Sequence, residues 1–414
     1  MHVRPPNSWM QLPRHELSFL APQRACSRVL NVKRQLCLPG RQSRWKSTSS
    51  TARPRTALFF PGQGVQRVGM IDPWLSAFPA TVRPLLDEFD SILSHPLTGI
   101  IASGPNSLLT ATENAQPAIF AASIVILRVL EKDFGFSAAR RVDFTLGHSL
   151  GEFAALVAGG YLRHADALRL VRRRAESMAA CSRDAALVGG SEYGMVALVC
   201  EPDRLTSLID AIYDFLGASS PGSKSDSSQE VPSIQQVLIA NINSKNQIVL
   251  SGNIERIKTL LTHLRQFGGH DPRAVRLKSD SPFHSPLMAP ARDLMTQLLS
   301  QTPSIVTFPG DMPCISNVSA LPFDSRDQLN DLLARQCVET VRWWDSIRYL
   351  DQEEKVRRWI GIGPGHVGRN LIGKEVGMRG RDTVKGGGVW GISDPREVEG
   401  VMRALEETED KGED

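Results

Sequence analysis

The sequence has little cysteine and no cysteine pairing pattern. Its 414 residues hold six (Cys26, Cys37, Cys181, Cys200, Cys314 and Cys337), scattered and never in a C-x-x-C spacing. This argues against a disulfide framework and against a cysteine-ligated metal site, and Cys181, Cys200, Cys314 and Cys337 read as reduced core thiols. A long apolar run is also missing. The longest uncharged apolar run, Pro117–Leu127, is too short to span a bilayer. Acid is nearly absent from the first 55 residues, where eleven Lys and Arg face only Glu16. That segment carries +10 against +4 for the whole chain, which leaves −6 for residues 56–414. A mildly acidic body does not read as a nucleic-acid surface. The basic, Ser- and Pro-containing leader lacks the apolar core of a secretory signal and has the composition of a mitochondrial transit peptide. We therefore expect residues 1–50 to be a disordered transit peptide, processed near Arg44–Ser50, and the mature chain to reside in the mitochondrial matrix. The plainer alternative is a disordered basic tail. A phosphate loop is missing too. The strand Thr56–Phe60 runs into Pro61-Gly62-Gln63-Gly64, but no Gly-Lys-Ser/Thr follows and the glycines do not fit G-x-G-x-x-G.

What is present centres on Gly147-His148-Ser149-Leu150-Gly151-Glu152. A short β-prone run, Arg141–Leu146, precedes this Gly-x-Ser-x-Gly, and the helix-tolerant Phe153–Ala158 follows it. Strand, tight turn and helix are the setting of a nucleophile elbow. Ser149 would sit at the turn, near the positive end of the helix, and the Leu150 N–H would point at a developing oxyanion. Acyl transfer needs a second oxyanion donor from a distant segment, and the Pro61–Gly64 turn exposes backbone N–H groups, Gln63 among them. On its own that turn reads as plain structure.

Residues 72–130 read as helices. Gln116 sits near a helix start with Pro117 in the first turn, where it would either cap the helix or reach a site. Ala165–Cys181 has helical period, with Leu168, Val171, Ala175 and Met178 forming one stripe. Within Arg172-Arg173-Arg174, Arg173 points away from that stripe. Arg172 and Arg174 flank it on opposite sides, and periodicity does not choose between them. Strand 194–199, helix 201–216, the paired strands 237–243 and 247–252, helix 254–266 and strand 274–277 follow the split β-α-β-β-α-β pattern. The Ser-, Gly- and Lys-rich stretch 217–233 reads as a flexible insertion. We therefore expect an α/β protein in which a large parallel-sheet domain (51–191 and 275–414) carries a small subdomain (192–274). His284 lies in the loop Ser279–Met288. Ser149 needs a base, and His284 is the best placed, with His366 after Gly363-Pro364-Gly365 as runner-up. Trp359–Gly365 reads as a final strand and turn, and the tail after about residue 404 as frayed.

Together these segments resemble the malonyl-CoA:acyl-carrier-protein transacylase family over nearly all of residues 55–375. The matching pieces are Phe60–Gly64, Gln116-Pro117-Ala118, Gly147–Glu152, an Arg twenty-five residues after the serine, Asn241–Ser244, Ser281-Pro282-Phe283-His284, Arg335-Gln336 before Trp343, and Gly363–Gly365. The resemblance implies an α/β-hydrolase-like large domain with a ferredoxin-like small one. It also implies that Arg174 pairs with the malonyl carboxylate, that Gln116 lines the pocket, and that the backbone carbonyl of Gln336 orients His284. Phe283 before the histidine resembles the malonyl-preferring version of that loop. Two departures stand out: the 217–233 insertion is longer than in compact bacterial-type members, and Gly368 replaces a usual apolar residue.

The implied reaction is ping-pong. His284 takes the Ser149 proton, Ser149 attacks the malonyl thioester, and the oxyanion rests on the Gln63 and Leu150 N–H groups. The phosphopantetheine thiol of acyl carrier protein then collects the acyl group. The implied partners are malonyl-CoA and acyl carrier protein, with no cofactor, metal, nucleic acid or membrane, and the chain is expected to be a monomer. The rival enzyme is a serine hydrolase or thioesterase on the same elbow. A rival of another class is a non-catalytic interaction module that keeps the fold.

Overall fold

In a computed structural model, the described residues are 53–189, 192–217, 237–279, 281–377 and 387–409. The expected transit peptide at 1–50, and the 217–233 insertion beyond Gly217, lie outside them. Nine strands occur among these residues: β1 (Arg55–Phe60), β2 (Phe144–Gly147), β3 (Tyr193–Val199), β4 (Val237–Ser244), β5 (Gln247–Asn253), β6 (Arg273–Arg276), β7 (Cys314–Ile315), β8 (Val356–Ile362) and β9 (Gly388–Ile392).

Residues 56–60 of β1 are all buried, as suits a strand covered on both faces. β1 is the centre of a five-stranded parallel sheet ordered β7-β2-β1-β8-β9. Its register pairs Phe60 with Gly147. The turn after β1 and the turn after β2 therefore emerge side by side at the carboxyl edge, where open α/β sheets place their sites. Ala57, Phe59, Leu146, Trp343, Trp359 and Ile372 belong to the core cluster packed on this sheet.

The helix Thr112–Asp133 has the length and apolarity to cross a membrane, but 89% of its apolar window is buried inside the fold. It starts earlier than expected, so Pro117 is its sixth residue rather than part of its first turn. A proline there has no N–H for the carbonyl four residues back. Arg172 fills that vacancy: its Nη1 donates to the Glu113 carbonyl at 2.8 Å and to Asn114 Oδ1 at 3.1 Å. Arg172 is thus a brace between two helices. The helix that carries it, His164–Gly189, extends beyond the expected Ala165–Cys181. Its stripe of Leu168, Val171, Ala175 and Met178 is fully buried.

The smaller sheet is antiparallel and ordered β4-β5-β3-β6. The helices Leu205–Leu216 and Ile254–Gln266 follow β3 and β5. Residues 202–204, expected as helix, form a 3₁₀ turn. Val196, Leu208, Ile212, Leu250, Ile257 and Leu260 belong to its own apolar core. The Ile242 N–H donates to the Val341 carbonyl at 3.0 Å, and the Val341 N–H to Ala240 at 2.8 Å, which ties β4 to the segment before Trp343.

Two expectations about the C-terminal part are corrected. Trp359–Gly365 does not end the sheet, because β9 pairs parallel with β8. Its two glycines and short length give little β signal in sequence. Nor is the tail frayed from residue 404. Val398, Val401 and Leu405 of the helix Val398–Glu407 are buried. The buried Arg358 donates to Thr56 Oγ1 at 2.8 Å and to the Leu405 carbonyl at 3.3 Å, and pairs with Glu409 at 3.3 Å.

Candidate active site

Ser149 occupies the turn after β2 with φ +53°, a backbone conformation uncommon for a residue with a Cβ. The flanking glycines leave room for it. A Cβ on Gly147 would come within 2.0 Å of the Gly151 carbonyl group, and one on Gly151 within 2.6 Å of the Phe60 carbonyl oxygen. The turn is thereby pressed onto the end of β1.

Ser149 Oγ lies 2.9 Å from His284 Nε2. On the far side of the ring, Nδ1 donates to the Gln336 carbonyl at 2.7 Å. That bond fixes the tautomer and leaves Nε2 as acceptor for the serine hydroxyl. Burial, reinforced by the Arg174 charge and by His148, pushes the His284 imidazole down to about 3, so it is neutral near pH 7. His366 is elsewhere, 3.4 Å from Ser393 Oγ and 3.7 Å from Glu397 Oε1. Of the two histidines named from sequence, the structure brings His284 and not His366 to Ser149. His148 turns away from the serine toward Asn243 Oδ1, 3.0 Å from its Nε2, and makes an edge-type contact with the Trp343 ring.

Arg174 is 1% exposed. Its Nη1 donates to Gln116 Oε1 at 2.7 Å, and its Nη2 to Ser149 Oγ at 3.2 Å and Gln336 Oε1 at 3.3 Å. Every one of these acceptors is neutral. Among the described residues no carboxylate lies within ion-pair distance of this guanidinium. Gln116 does not cap its helix. Its Nε2 donates to Gln63 Oε1, and Gln63 Nε2 donates to Thr112 Oγ1, both at 3.3 Å. A chain of amides thus runs from the loop after β1 to Arg174. The loop itself is close-packed on the elbow, since a Cβ on Gly62 would meet His148 Nδ1 at 2.8 Å. Gln63 and Leu150 therefore stand on adjacent turns. Among the described residues no group of three or more His, Cys, Asp or Glu is placed to hold a metal.

The arrangement is a serine hydroxyl hydrogen-bonded to a neutral imidazole, beside a buried guanidinium whose hydrogen-bond partners are neutral. A family model described as an acyl transferase domain matches residues 58–211. The malonyl CoA-acyl carrier protein transacylase of Bacillus subtilis is 34% identical, over 86% of this chain and 99% of the relative. The chain belongs to the malonyl CoA-acyl carrier protein transacylase family. It is an acyltransferase. The Escherichia coli transacylase is 30% identical over 75% of this chain and 89% of its own length. The crystal structure of an acyl-carrier-protein S-malonyltransferase from Bartonella henselae matches with TM-score 0.69 at 30% identity, covering 85% of this chain and 99% of that one. A structure of a type II polyketide acyl-carrier protein in complex with its malonyl-transacylase matches with TM-score 0.68 at 27% identity, covering 85% and 99%.

Two residues of this acyltransferase site escape a reading of the sequence. Asn317 follows β7, and its side chain bonds both ends of the serine turn. Glu152, legible only as part of the motif, is fully buried and accepts the Asn317 N–H through Oε1 at 2.9 Å. The one available signal is position: a polar residue straight after a short strand beside β2 falls at the carboxyl edge. Burial raises the Glu152 carboxyl to about 8 from its ordinary 4.5, against the opposing pull of the Asn317 N–H and Arg174. The folded state then holds a proton that the unfolded chain releases, so Glu152 costs stability as pH rises from 4.5 to about 8. Glu152→Gln removes that titration and keeps the shape of the protonated acid. We expect the variant to gain on the wild type across this window by a few kcal/mol, on the order of 1.4 kcal/mol for each pH unit crossed. The His284 titration is common to both proteins and drops out of the difference. Urea midpoints at pH 5, 6.5 and 8 that run parallel for the two proteins would contradict this.

Proposed function

We propose that this acyltransferase moves the malonyl group from malonyl-CoA to the phosphopantetheine thiol of acyl carrier protein through a malonyl-Ser149 ester. His284 Nε2 accepts the Ser149 proton as Oγ attacks the thioester carbonyl. The oxyanion is met by the N–H groups of Gln63 and Leu150. Collapse breaks the C–S bond, and coenzyme A leaves with the proton from His284. The carrier thiol then gives its proton to His284 and attacks the ester, and Ser149 recovers its proton. Gln336 orients the imidazole throughout.

The observation that carries the malonyl assignment is Arg174, a buried cation with neutral partners only, 3.2 Å from the reacting oxygen. A carboxylate on the acyl group supplies the missing charge in a planar, two-pronged match. Gln116 completes the pocket wall. The relatives' names, and the neighbouring structure solved with a carrier protein, support the same donor and acceptor.

We read the small sheet and its two helices as a ferredoxin-like subdomain over 192–274, inserted into an α/β-hydrolase-like domain of 51–191 and 275–414. We also read the chain as a monomer that serves fatty-acid synthesis in the mitochondrial matrix; the basic, acid-poor leader supports that placement. The test is intact-protein mass spectrometry of the full chain mixed with malonyl-CoA or acetyl-CoA, followed by carrier protein. A malonyl adduct on Ser149 that passes to the carrier thiol, with little acetyl adduct, is expected. An adduct that decays to water with carrier present marks a hydrolase, and no adduct marks an interaction module.

A further inference from the structure

The serine turn is made possible by glycines but is held by something else. Asn317 is 4% exposed and lies two residues beyond β7, the strand next to β2. Its Oδ1 accepts the Ser149 N–H at 2.7 Å, and its Nδ2 donates to the Gly147 carbonyl at 2.7 Å. One carboxamide therefore closes both sides of the turn, using the acceptor and the donor that an amide presents side by side. The Asn317 backbone is fixed in turn. Its N–H donates to Glu152 Oε1 at 2.9 Å, and its carbonyl accepts the Arg342 N–H at 2.9 Å. Glu152 stands in the first turn of the helix that the elbow launches. The loop thus closes from serine to asparagine to glutamate and back along the chain.

Ser149 has a reason to need such a clamp. Its φ of +53° is a strained conformation that persists only where the surroundings over-determine it. Without the clamp the turn would relax, and Oγ would leave its 2.9 Å contact with His284. The clamp also commits the Ser149 N–H, so the oxyanion donor on this turn is the next amide, that of Leu150. We propose that Asn317 is a positioning residue for the nucleophile, holding Ser149 in register with His284, and that Glu152 in turn holds Asn317. This rests on the reading of Ser149 as the acyl-accepting serine.

The experiment compares full-length wild type, N317A and N317D. It measures the rate of malonyl-Ser149 formation per folded molecule by rapid quench and mass spectrometry, the malonyl-CoA concentration dependence, and the melting temperature. N317A is expected to acylate about 10²-fold more slowly, the penalty of misplacing a reacting group by an ångström, with half-saturation changed less than about threefold. N317D carries a signature that loss of packing does not. Its carboxyl, when protonated, accepts from Ser149 and donates to Gly147; when ionised, it faces the Gly147 carbonyl without a donor. Its acylation rate relative to wild type should therefore climb toward parity as pH falls from 8 to 5. The titratable and charged groups around that position are Glu152, His148, His284, Cys314, Arg174 and Arg342. All are present in the wild type, whose profile is measured in parallel. If N317A does not fold, the N317D profile decides. A wild type that forms the adduct while N317A matches its rate, or an N317D-to-wild-type ratio flat in pH, overturns the positioning role and leaves the nucleophile standing. A wild type that forms no adduct removes both.

Discussion

Replacing His284 with alanine should slow acyl transfer by at least about 10³-fold, the upper range of what a positioned general base contributes. The half-saturation concentration of malonyl-CoA should change little, because His284 contacts the serine rather than the carboxylate pocket. The geometry makes this a loss with no substitute. His366 is engaged with Ser393 and Glu397, and His148 is bonded to Asn243. His366→Ala should therefore leave turnover near wild type, and the opposite pattern would reverse the assignment. The pH profile gives a second handle. In the free enzyme burial, and then the Arg174 charge, hold the imidazole down to about 3. A base must be unprotonated, so kcat/KM should stay level as pH falls through 6.5 and decline only well below it. A bound carboxylate neutralises Arg174 and removes one cause of the depression. The imidazole then binds its proton more readily, and the acid limb of kcat should lie at higher pH than that of kcat/KM. Coincident limbs, or a free-enzyme limb near 6.5, would mean that the base is not this buried ring.

The parts of this fold that sequence reveals are those with one dominant local signal. The elbow is legible because strand, Gly-x-Ser-x-Gly and helix are contiguous. The helix Ile254–Gln266 appears within its expected bounds, fixed by the Asn253 cap, which accepts the Arg256 N–H. What sequence conceals depends on distance. Arg172 and Arg174 are equivalent by helical period. They part because Pro117, on another helix, leaves a carbonyl for Arg172, while Arg174 faces Gln116, Gln336 and Ser149. Among sequence signals, only the family resemblance makes that choice. Asn317 meets Ser149 across 168 residues of sequence because β7 pairs with β2. Gln336 is similar: its carbonyl faces His284 only once the helix Arg326–Arg335 ends beside the loop Ser281–Ser285. Such residues carry no local pattern, since any exposed helix end or strand end looks like theirs. The C-terminal strand and helix are hidden for a related reason. Their stability comes from Arg358 and the parallel pairing of β8 with β9, not from propensity.

Arg174→Ala should lower kcat/KM for malonyl-CoA by about 2–5 kcal/mol, roughly 30- to 5,000-fold, because the acyl carboxylate would be buried with no countercharge. The same change should not penalise acetyl-CoA. In the wild type a neutral acyl group leaves a buried guanidinium without its anion, and that unpaired charge is what selects against it. The two substrates should therefore converge, malonyl falling while acetyl holds or rises. Arg174→Lys should lie between, since it keeps the charge but loses the planar two-donor geometry that also reaches Gln116 and Gln336. The substitution should be felt at His284 as well. Removing the second of the influences that depress its imidazole moves the acid limb of the acetyl reaction upward in pH. Arg174 also donates to Ser149 Oγ at 3.2 Å, and a role confined to steadying the nucleophile predicts a different result. Initial rates with both thioesters, for wild type and the two variants, separate the roles. A loss confined to malonyl assigns Arg174 to the carboxylate. Equal losses for malonyl and acetyl would place its whole effect on the serine and overturn the substrate assignment.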